Sequence, residues 1–487
     1  STFWSKLASA LCFPVSIIFN TSYNSSQLPN DWKHAIVVLV FKKGDASLTK
    51  NYRPISLACT LCKVMESMIK DNMLDHLIKN NLLDPSQHGF LPSHSTSSQL
   101  LESSYDWFSA NDQRFPVDAV YIDFSKAFDT VSHSKLISKL HSFNFCNRTI
   151  QWLVSFLSDR TQVVKCNNAV SSSVNVTSGV PQGSVCGPLL FVLFVNDLAA
   201  VCAPCSVKLY ADDVKLYHSI KQPHDRTVLQ NCVDRVCDWA QKWDLLFSYD
   251  KCMYIQIGYS DQSIVYKLGN RFINMCNSVS DLGVTVHSSL KFSLHCASIA
   301  AKANVRAKLI LKCFLSHNPR NFIRAFKVYV RPLLEYASVV WNPWLLQDIN
   351  LIENVQRRFT RKVCIICHLP VVSYDERLTL FNLDRLELRR LRTDLVEMFK
   401  IVHGYTKCSV SSSLSFSCNN VYNATRGHRF KLNTSRVNKN LLKYYFINRI
   451  VHAWNFLPDR CFNTNLISTF KRNVCNVNLS SFVYGQL

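Results

Sequence analysis

Residues 207–217 read V-K-L-Y-A-D-D-V-K-L-Y, two short arms of alternating polarity around Asp212 and Asp213. Val207 and Leu209 alternate with Lys208 on one arm, Val214 and Leu216 with Lys215 on the other, so the spacing predicts a β-hairpin with both carboxylates at its tip. Adjacent Asp residues at a turn are commonly no more than turn formers. A second acidic position changes that balance. Residues 117–124 are a predicted strand, and in Y-I-D-F-S-K-A-F-D at 121–129 Asp123 falls near its end, ahead of a helix, where an oxygen can be aimed into a cleft. If Asp123 lies beside the hairpin, three carboxylates converge. Like charges so placed are costly unless hard divalent cations neutralise them, and Mg²⁺ is the expected ion.

The third informative string is S-G-V-P-Q-G-S-V-C-G-P-L at 178–189, which leads into an apolar, helix-like run at 190–195. Of 11 Gly in the chain, three fall at 179, 183 and 187. Because Gly serves where a backbone bends or approaches a ligand, this cluster predicts a nucleotide or base packed on the loop, with an ordinary helix-capping loop as the alternative. Elsewhere the apolar run 35–41 predicts a buried strand and 61–83 a helix ending at Asp84-Pro85. Helices are also predicted at 134–143 and 151–157, with a polar hairpin at 163–176 and helical, basic patterns at 297–336, 351–366 and 383–402. The Ser-rich stretch 408–423 reads as a linker, followed by a basic segment at 426–449. This is α+β in front and mostly α behind.

The 487 residues carry a net charge of +22 with 48% hydrophobic and 12% aromatic content, which excludes a disordered basic tail. Residues 1–300 hold 26 basic and 23 acidic residues, whereas 301–487 hold 29 and 10. The excess is therefore C-terminal, and it points to a polyanionic partner there. The 20 Cys have neither disulfide-scaffold nor zinc-ribbon spacing, including the pairs Cys59/Cys62, Cys202/Cys205 and Cys364/Cys367, so reduced thiols of an intracellular protein are expected. The apolar run 7–19 is short and broken by Pro14, and no run reaches the roughly 18 residues of a membrane span, so no membrane partner is expected.

Taken in order, D-F-S-K-A-F-D, S-G-V-P-Q-G-S-x-x-G-P-L and Y-A-D-D resemble the palm motifs of reverse transcriptases, specifically those of jockey-like non-LTR retrotransposons. Residues 28–57 (LPNDWKHAIVVLVFKKGDASLTKNYRPISL) are similar to the first finger motif of that family. Gln87-His88-Gly89-Phe90 with Ser95-Thr96 is similar to the second, and Asp281-Leu282-Gly283-Val284 to the segment after the palm; the resemblance covers roughly residues 5–400. It implies that Asp123, Asp212 and Asp213 hold two Mg²⁺ ions, with Mn²⁺ as a substitute, and that Phe128 lies beneath the sugar as a gate against a 2′-hydroxyl. By the same resemblance, Gln182, Gly183 and Tyr210 contact the incoming nucleotide and template base, and Lys42, Lys43 and Arg53 bind the triphosphate. Lys251, in F-S-Y-D-K-C-M, takes the place of a general acid toward pyrophosphate. Two positions depart from the pattern: Ser248 where relatives usually have Asn, and Leu91 where many have Arg. These put fidelity or rate in doubt rather than the reaction type.

The expected fold is an α+β right-hand polymerase with fingers, an antiparallel palm sheet, a helical thumb and a basic helical C-terminal region. The expected divisions are a truncated helical extension at 1–27, fingers and palm at 28–258, a primer-grip segment and thumb at 259–400, and the basic region at 401–487. Lys302, Arg306, Lys308, Arg324, Lys327 and Arg331 are expected to track a duplex backbone. Arg357, Arg358, Arg361, Lys362, Arg389, Arg390 and Arg392 would extend that surface. The implied activity is an RNA-directed DNA polymerase that extends a DNA 3′-hydroxyl on an RNA template by two-metal-ion transfer. Its implied partners are the RNA template, a DNA primer or target DNA, and deoxynucleoside triphosphates, with an endonuclease domain upstream and a location in nucleus and cytoplasm. Two alternatives stay open: a group II intron maturase-like polymerase, and a catalytically inactive nucleic-acid-binding remnant.

Overall fold

The strands of the two main sheets are β1 (His34–Phe41), β2 (Tyr52–Leu57), β3 (Val117–Asp123), β4 (Arg160–Cys166), β5 (Ala169–Val170), β6 (Val174–Val176), β7 (Ser206–Tyr210), β8 (Asp213–Ser219) and β9 (Met253–Ile257). They are taken from a computed structural model, which describes residues 2–258, 261, 264–417 and 428–483. The linker and basic segments expected at 408–423 and 426–449 therefore lie partly outside the described residues.

The alternating string at 207–217 folds as the hairpin it predicts, with Tyr210 opposite Asp213. β8 also pairs with β3, and β3 with β9, all antiparallel, giving the order β9-β3-β8-β7. One edge departs from the expected antiparallel sheet, because Asn274–Met275 joins β9 in parallel. The fingers sheet runs β2-β1-β4-β5, with β6 also on β4 and β1 parallel to β4.

Side-chain alternation divides the palm sheet between two cores. Val120, Ile122, Val214 and Leu216 face one that includes the apolar helix Gly187–Val195. Val117, Ala119, Tyr217 and Ile255 face the other, formed with the helices Thr96–Asp112, Ser293–Cys313 and Leu346–Ile366. Tyr445 and Trp454 of the C-terminal region belong to this second core, and the Tyr445 hydroxyl donates to the Leu101 carbonyl at 2.6 Å. Fingers, palm, helical thumb and C-terminal helices make the right-hand architecture. Among the described residues no helix is long and apolar enough to cross a membrane.

Three local expectations fail for physical reasons. β1 was expected to be buried, yet Ile36, Leu39, Val40 and Phe41 are 36–50% exposed, because the fingers sheet is only partly covered. Pro14 does not break its run: Thr2–Ser25 is one helix, with Pro14 and Ala10 both exposed, so the carbonyl that Pro14 leaves unpaired meets water. Lys215, read as the polar member of an alternating arm, is 2% exposed, since β8 is an inner strand covered on both faces.

That Lys is compensated. Its Nζ donates to Asp281 at 2.6 Å, Ser103 Oγ at 2.8 Å and Gln99 Oε1 at 3.1 Å, and the Tyr121 hydroxyl donates to the same Asp281 carboxylate at 3.1 Å. Asp281 ends the strand Ser278–Asp281 of the hairpin closed by Val284–His287, so one buried ion pair fixes that hairpin to the palm. Breaking such a pair from one side strands a buried charge at a cost of about 3–5 kcal/mol, whereas apolar replacement of both partners is often neutral. Asp281→Asn should therefore lose several times more stability in urea unfolding than the double change Lys215→Met with Asp281→Leu. Equal losses would contradict this account.

Candidate active site

Asp123 ends β3 directly opposite Asp213 at the start of β8. Residues opposed across an antiparallel pair project from the same face with Cβ atoms about 5 Å apart, so register alone puts the two carboxylates side by side. Asp212 sits between them and Tyr210 in a turn with Ala211, whose φ of +56° is left-handed and disfavoured for a residue with a Cβ. Burial pushes the Asp212 carboxyl above the usual carboxylate range, and the Asp123 charge adds to it. Burial, then the charges of Asp212 and Asp123, push Asp213 up to about 6, although its side chain still reaches solvent. The nearest compensation is Lys251, whose Nζ donates to Asp123 Oδ1 at 2.8 Å. Arg53, exposed on β2, favours the ionised form of Asp212.

Among the described residues no three His, Cys, Asp or Glu side chains stand close enough together to hold an ion as placed. Of the three carboxylates expected to converge, Asp123 and Asp213 face one another and Asp212 stands in the adjoining turn, while Lys251 engages Asp123. The donor set nevertheless fits a hard divalent cation: all three groups offer oxygens, and their mutual repulsion is under-compensated by one exposed ammonium.

Lys43 lines the cleft with Asp123, Asp213 and Lys251, while Lys42 is exposed just beyond β1. Phe128 is half-buried and stacked on Phe191, with centroids 4.3 Å apart and planes at 17°, and edge-on to Phe90 at 6.2 Å. Gln182 Nε2 donates to Asp129 Oδ1 at 2.7 Å, which fixes the amide next to Phe128. Tyr210 is half-buried, and burial, then the neighbouring Tyr336 and Asp213, raise its hydroxyl pKa.

The glycines of the 178–189 loop are packed tightly against protein. A Cβ on Gly179 would lie 2.6 Å from the Asp129 carbonyl oxygen, one on Gly183 2.5 Å from that of Ser56, and one on Gly187 2.5 Å from Ser184 Oγ. The loop is clamped further by Glu66, whose buried carboxylate accepts the amides of Val185 at 2.7 Å and Cys186 at 2.9 Å. Sequence reasoning missed Glu66; an acid on the inward face of the 60–79 helix was the available signal.

The basic surface is smaller than expected. Lys302, Arg306, Lys308, Arg324, Arg358, Arg361 and Lys362 are exposed. Arg331 and Arg389 both bond Glu335, Arg392 bonds Asp384 at 2.8 Å, and Arg390 is fully buried with Nε on Asn342 at 2.9 Å. All four are engaged by protein acceptors, and Arg390 is withdrawn from the surface altogether. Arg357 donates to Asn354 at 2.8 Å and lies over the Tyr374 ring, and Lys327 is half-buried.

A palm sheet ending in facing carboxylates, with a fingers sheet beside it and helices behind, defines the right-hand nucleic-acid polymerase class. The profile of the family "Reverse transcriptase (RNA-dependent DNA polymerase)" matches residues 40–286, just over half of the chain, and the chain belongs to that family. It is 28% identical over 366 residues to a probable RNA-directed DNA polymerase from transposon BS and 26% identical over 362 residues to the RNA-directed DNA polymerase from mobile element jockey, both of Drosophila melanogaster. Each match covers 72% of this chain but only 40% and 39% of those relatives, respectively. Among solved structures it is similar to apo telomerase from Candida tropicalis, at TM-score 0.44 and 10% identity over 83% of this chain and 67% of that one.

The crowding of carboxylates yields a stability prediction. A carboxyl whose folded pKa lies above its unfolded value costs stability once the unfolded chain ionises, so the penalty is nearly absent below about pH 3, grows as pH rises from about 4 to about 6, and is complete above that. In EDTA, Asp213→Asn should raise the Tm at pH 7.5 and leave it nearly unchanged at about pH 3, and added Mg²⁺ should stabilise the parent protein more than the variant. A Tm gain of the same size at both pH values would refute the electrostatic cause.

Proposed function

We propose that this chain is the RNA-directed DNA polymerase of a non-LTR retrotransposon, extending a DNA 3′-hydroxyl on an RNA template from deoxynucleoside triphosphates. The observation that carries the reading is the register that sets Asp123 opposite Asp213, with Asp212 in the adjoining turn. Family membership and the likeness to the jockey and BS polymerases support it. Asp123, Asp212 and Asp213 would hold two Mg²⁺ ions, or Mn²⁺. Such ions, when bound, lower the cost of deprotonating the attacking hydroxyl and neutralise charge on the leaving pyrophosphate. Lys251, whose ammonium bonds Asp123 at the edge of this cluster, is assigned as general acid for the leaving group. Arg53 and Lys43 hold the triphosphate, and Lys42 lies within reach of it along the same loop. Gln182, Gly183 and Tyr210 line the place of the new base pair. The exposed thumb cations grip template and primer. Relatives extend well beyond the matched part, which leaves length in an intact element for an endonuclease segment that supplies the DNA end.

Phe128 is the sugar gate in this reading. Phe191 backs its ring, so the aromatic wall cannot retreat from a 2′-hydroxyl.

Purified protein with an RNA template, annealed DNA primer and Mg²⁺ tests the reading. Primer extension should occur and should fall at least about 100-fold in Asp212→Asn, while template binding persists. Binding without extension in the parent protein would identify a non-catalytic remnant instead. In the same assay Phe128→Val should raise ribonucleotide use relative to deoxyribonucleotide use by about 10-fold or more, the scale on which an apolar wall rejects one added hydroxyl. An unchanged sugar preference would remove Phe128 from the gate.

A further inference from the structure

The segment Ser86, Gln87, His88, Gly89 is used by no step of the proposed reaction, yet it is bonded to the outside of the catalytic hairpin. The Leu209 amide donates to the Ser86 carbonyl at 2.9 Å, and the His88 amide donates to the Leu209 carbonyl at 2.9 Å. Gln87 is fully buried, and its Oε1 accepts two backbone amides, that of Gly89 at 2.7 Å and that of Ala211 at 2.9 Å. Ala211 is the left-handed residue immediately before Asp212. A strained turn of this kind persists only where its surroundings over-determine it. Gly89 makes the contact sterically possible, since a Cβ there would lie 2.4 Å from the Ala211 nitrogen. His88 anchors the segment from behind, with Nδ1 on Ser98 Oγ at 2.9 Å and Nε2 3.3 Å from Glu102.

We propose that Gln87 is a positioning residue for the catalytic hairpin: its side-chain carbonyl holds the Ala211 amide and so sets where Asp212 and Asp213 stand relative to Asp123. Gln87 acts through the Ala211 backbone. Without the acceptor, a buried N–H loses its partner and the turn relaxes. A displacement of this order lowers the rate of the chemical step while leaving the binding of template and nucleotide almost unchanged. The kinetic part of the inference rests on the polymerase reading; the structural part does not.

The test compares the full chain with Gln87→Met, which removes the acceptor at similar volume, and with Leu153→Ala, which opens a cavity in the buried helix Asn147–Leu157. Hydrogen–deuterium exchange of residues 207–217 should be about 10-fold faster or more in Gln87→Met and unchanged in Leu153→Ala. Primer-extension kcat should fall about 10- to 100-fold in Gln87→Met with KM for the nucleotide within about twofold, and Leu153→Ala, although less stable, should keep its kcat. Exchange at the parent rate in Gln87→Met, or an equal kcat loss in Leu153→Ala, overturns the proposal. If the parent protein extends no primer, the polymerase reading fails and the exchange comparison still judges Gln87. Should Gln87→Met not fold, Gln87→Glu, measured at about pH 5 to favour the neutral acid, keeps an accepting oxygen and replaces the amide nitrogen, which has no partner among the described residues. Parent-like exchange at 207–217 in that variant supports the proposal, and faster exchange overturns it.

Discussion

Asp123 and Asp213 face one another across β3 and β8, and much of the molecule answers the cost of that pairing. Like charges directly opposed in a sheet are destabilising. Two residues further along the same face, Tyr121 stands opposite Lys215, and after them Ala119 stands opposite Tyr217. The face thus runs from an acidic pair at the open end, through a buried cation, to an apolar floor. Lys215 in turn lies opposite Lys208 on β7, a second like-charge pair, and each lysine has its own carboxylate: Asp281 for Lys215, Glu102 for Lys208. Glu102 comes from the 96–112 helix and Asp281 from the 278–287 hairpin. These two elements bind to the palm through the lysines of β7 and β8, whose charges an unaccompanied sheet could not bury.

Glu102 also explains how the C-terminal region joins this arrangement. Its Oε1 accepts the Ser409 amide at 2.6 Å, while the other oxygen serves Lys208 and His88. Burial alone would raise this carboxyl, but the hydrogen bond from His88 and the Lys208 charge hold it down at about 2. One ionised carboxylate therefore links palm strand, finger motif and C-terminal segment, and it also touches the His88 that carries Gln87 to the hairpin.

How far the sequence discloses this depends on whether the cause is local. The hairpin at 207–217, the strand ending at Asp123 and the thumb helices follow from period and turn chemistry, which act over a few residues. Lys215 was misread because alternation reports the two faces of a strand, not whether each is covered, and coverage is decided by the 96–112 helix and the 278–287 hairpin. The glycines at 179, 183 and 187 announced a close approach correctly but could not name what approaches; it is the Asp129 and Ser56 backbones and the Ser184 side chain. Likewise +19 on residues 301–487 could not separate cations that face outward from Arg389, Arg390 and Arg392, which are consumed inside the thumb. The Gln87 contact joins positions 124 apart in sequence, beyond the reach of any local pattern.

The two lysines nearest the acidic pair differ in a way that bears on chemistry. Lys215 is 2% exposed with three protein partners, and a buried, multiply bonded ion pair of this kind does not exchange without unfolding its surroundings. The Lys251 side chain is 65% exposed and bonds only Asp123 among the described residues, and an ion pair so open to water is worth at most about 1 kcal/mol. The lower pair is therefore structural and the upper one exchangeable. The acidic pair thus stands between a fixed ion pair two residues further along β8 and a weakly held ammonium from the 249–251 turn.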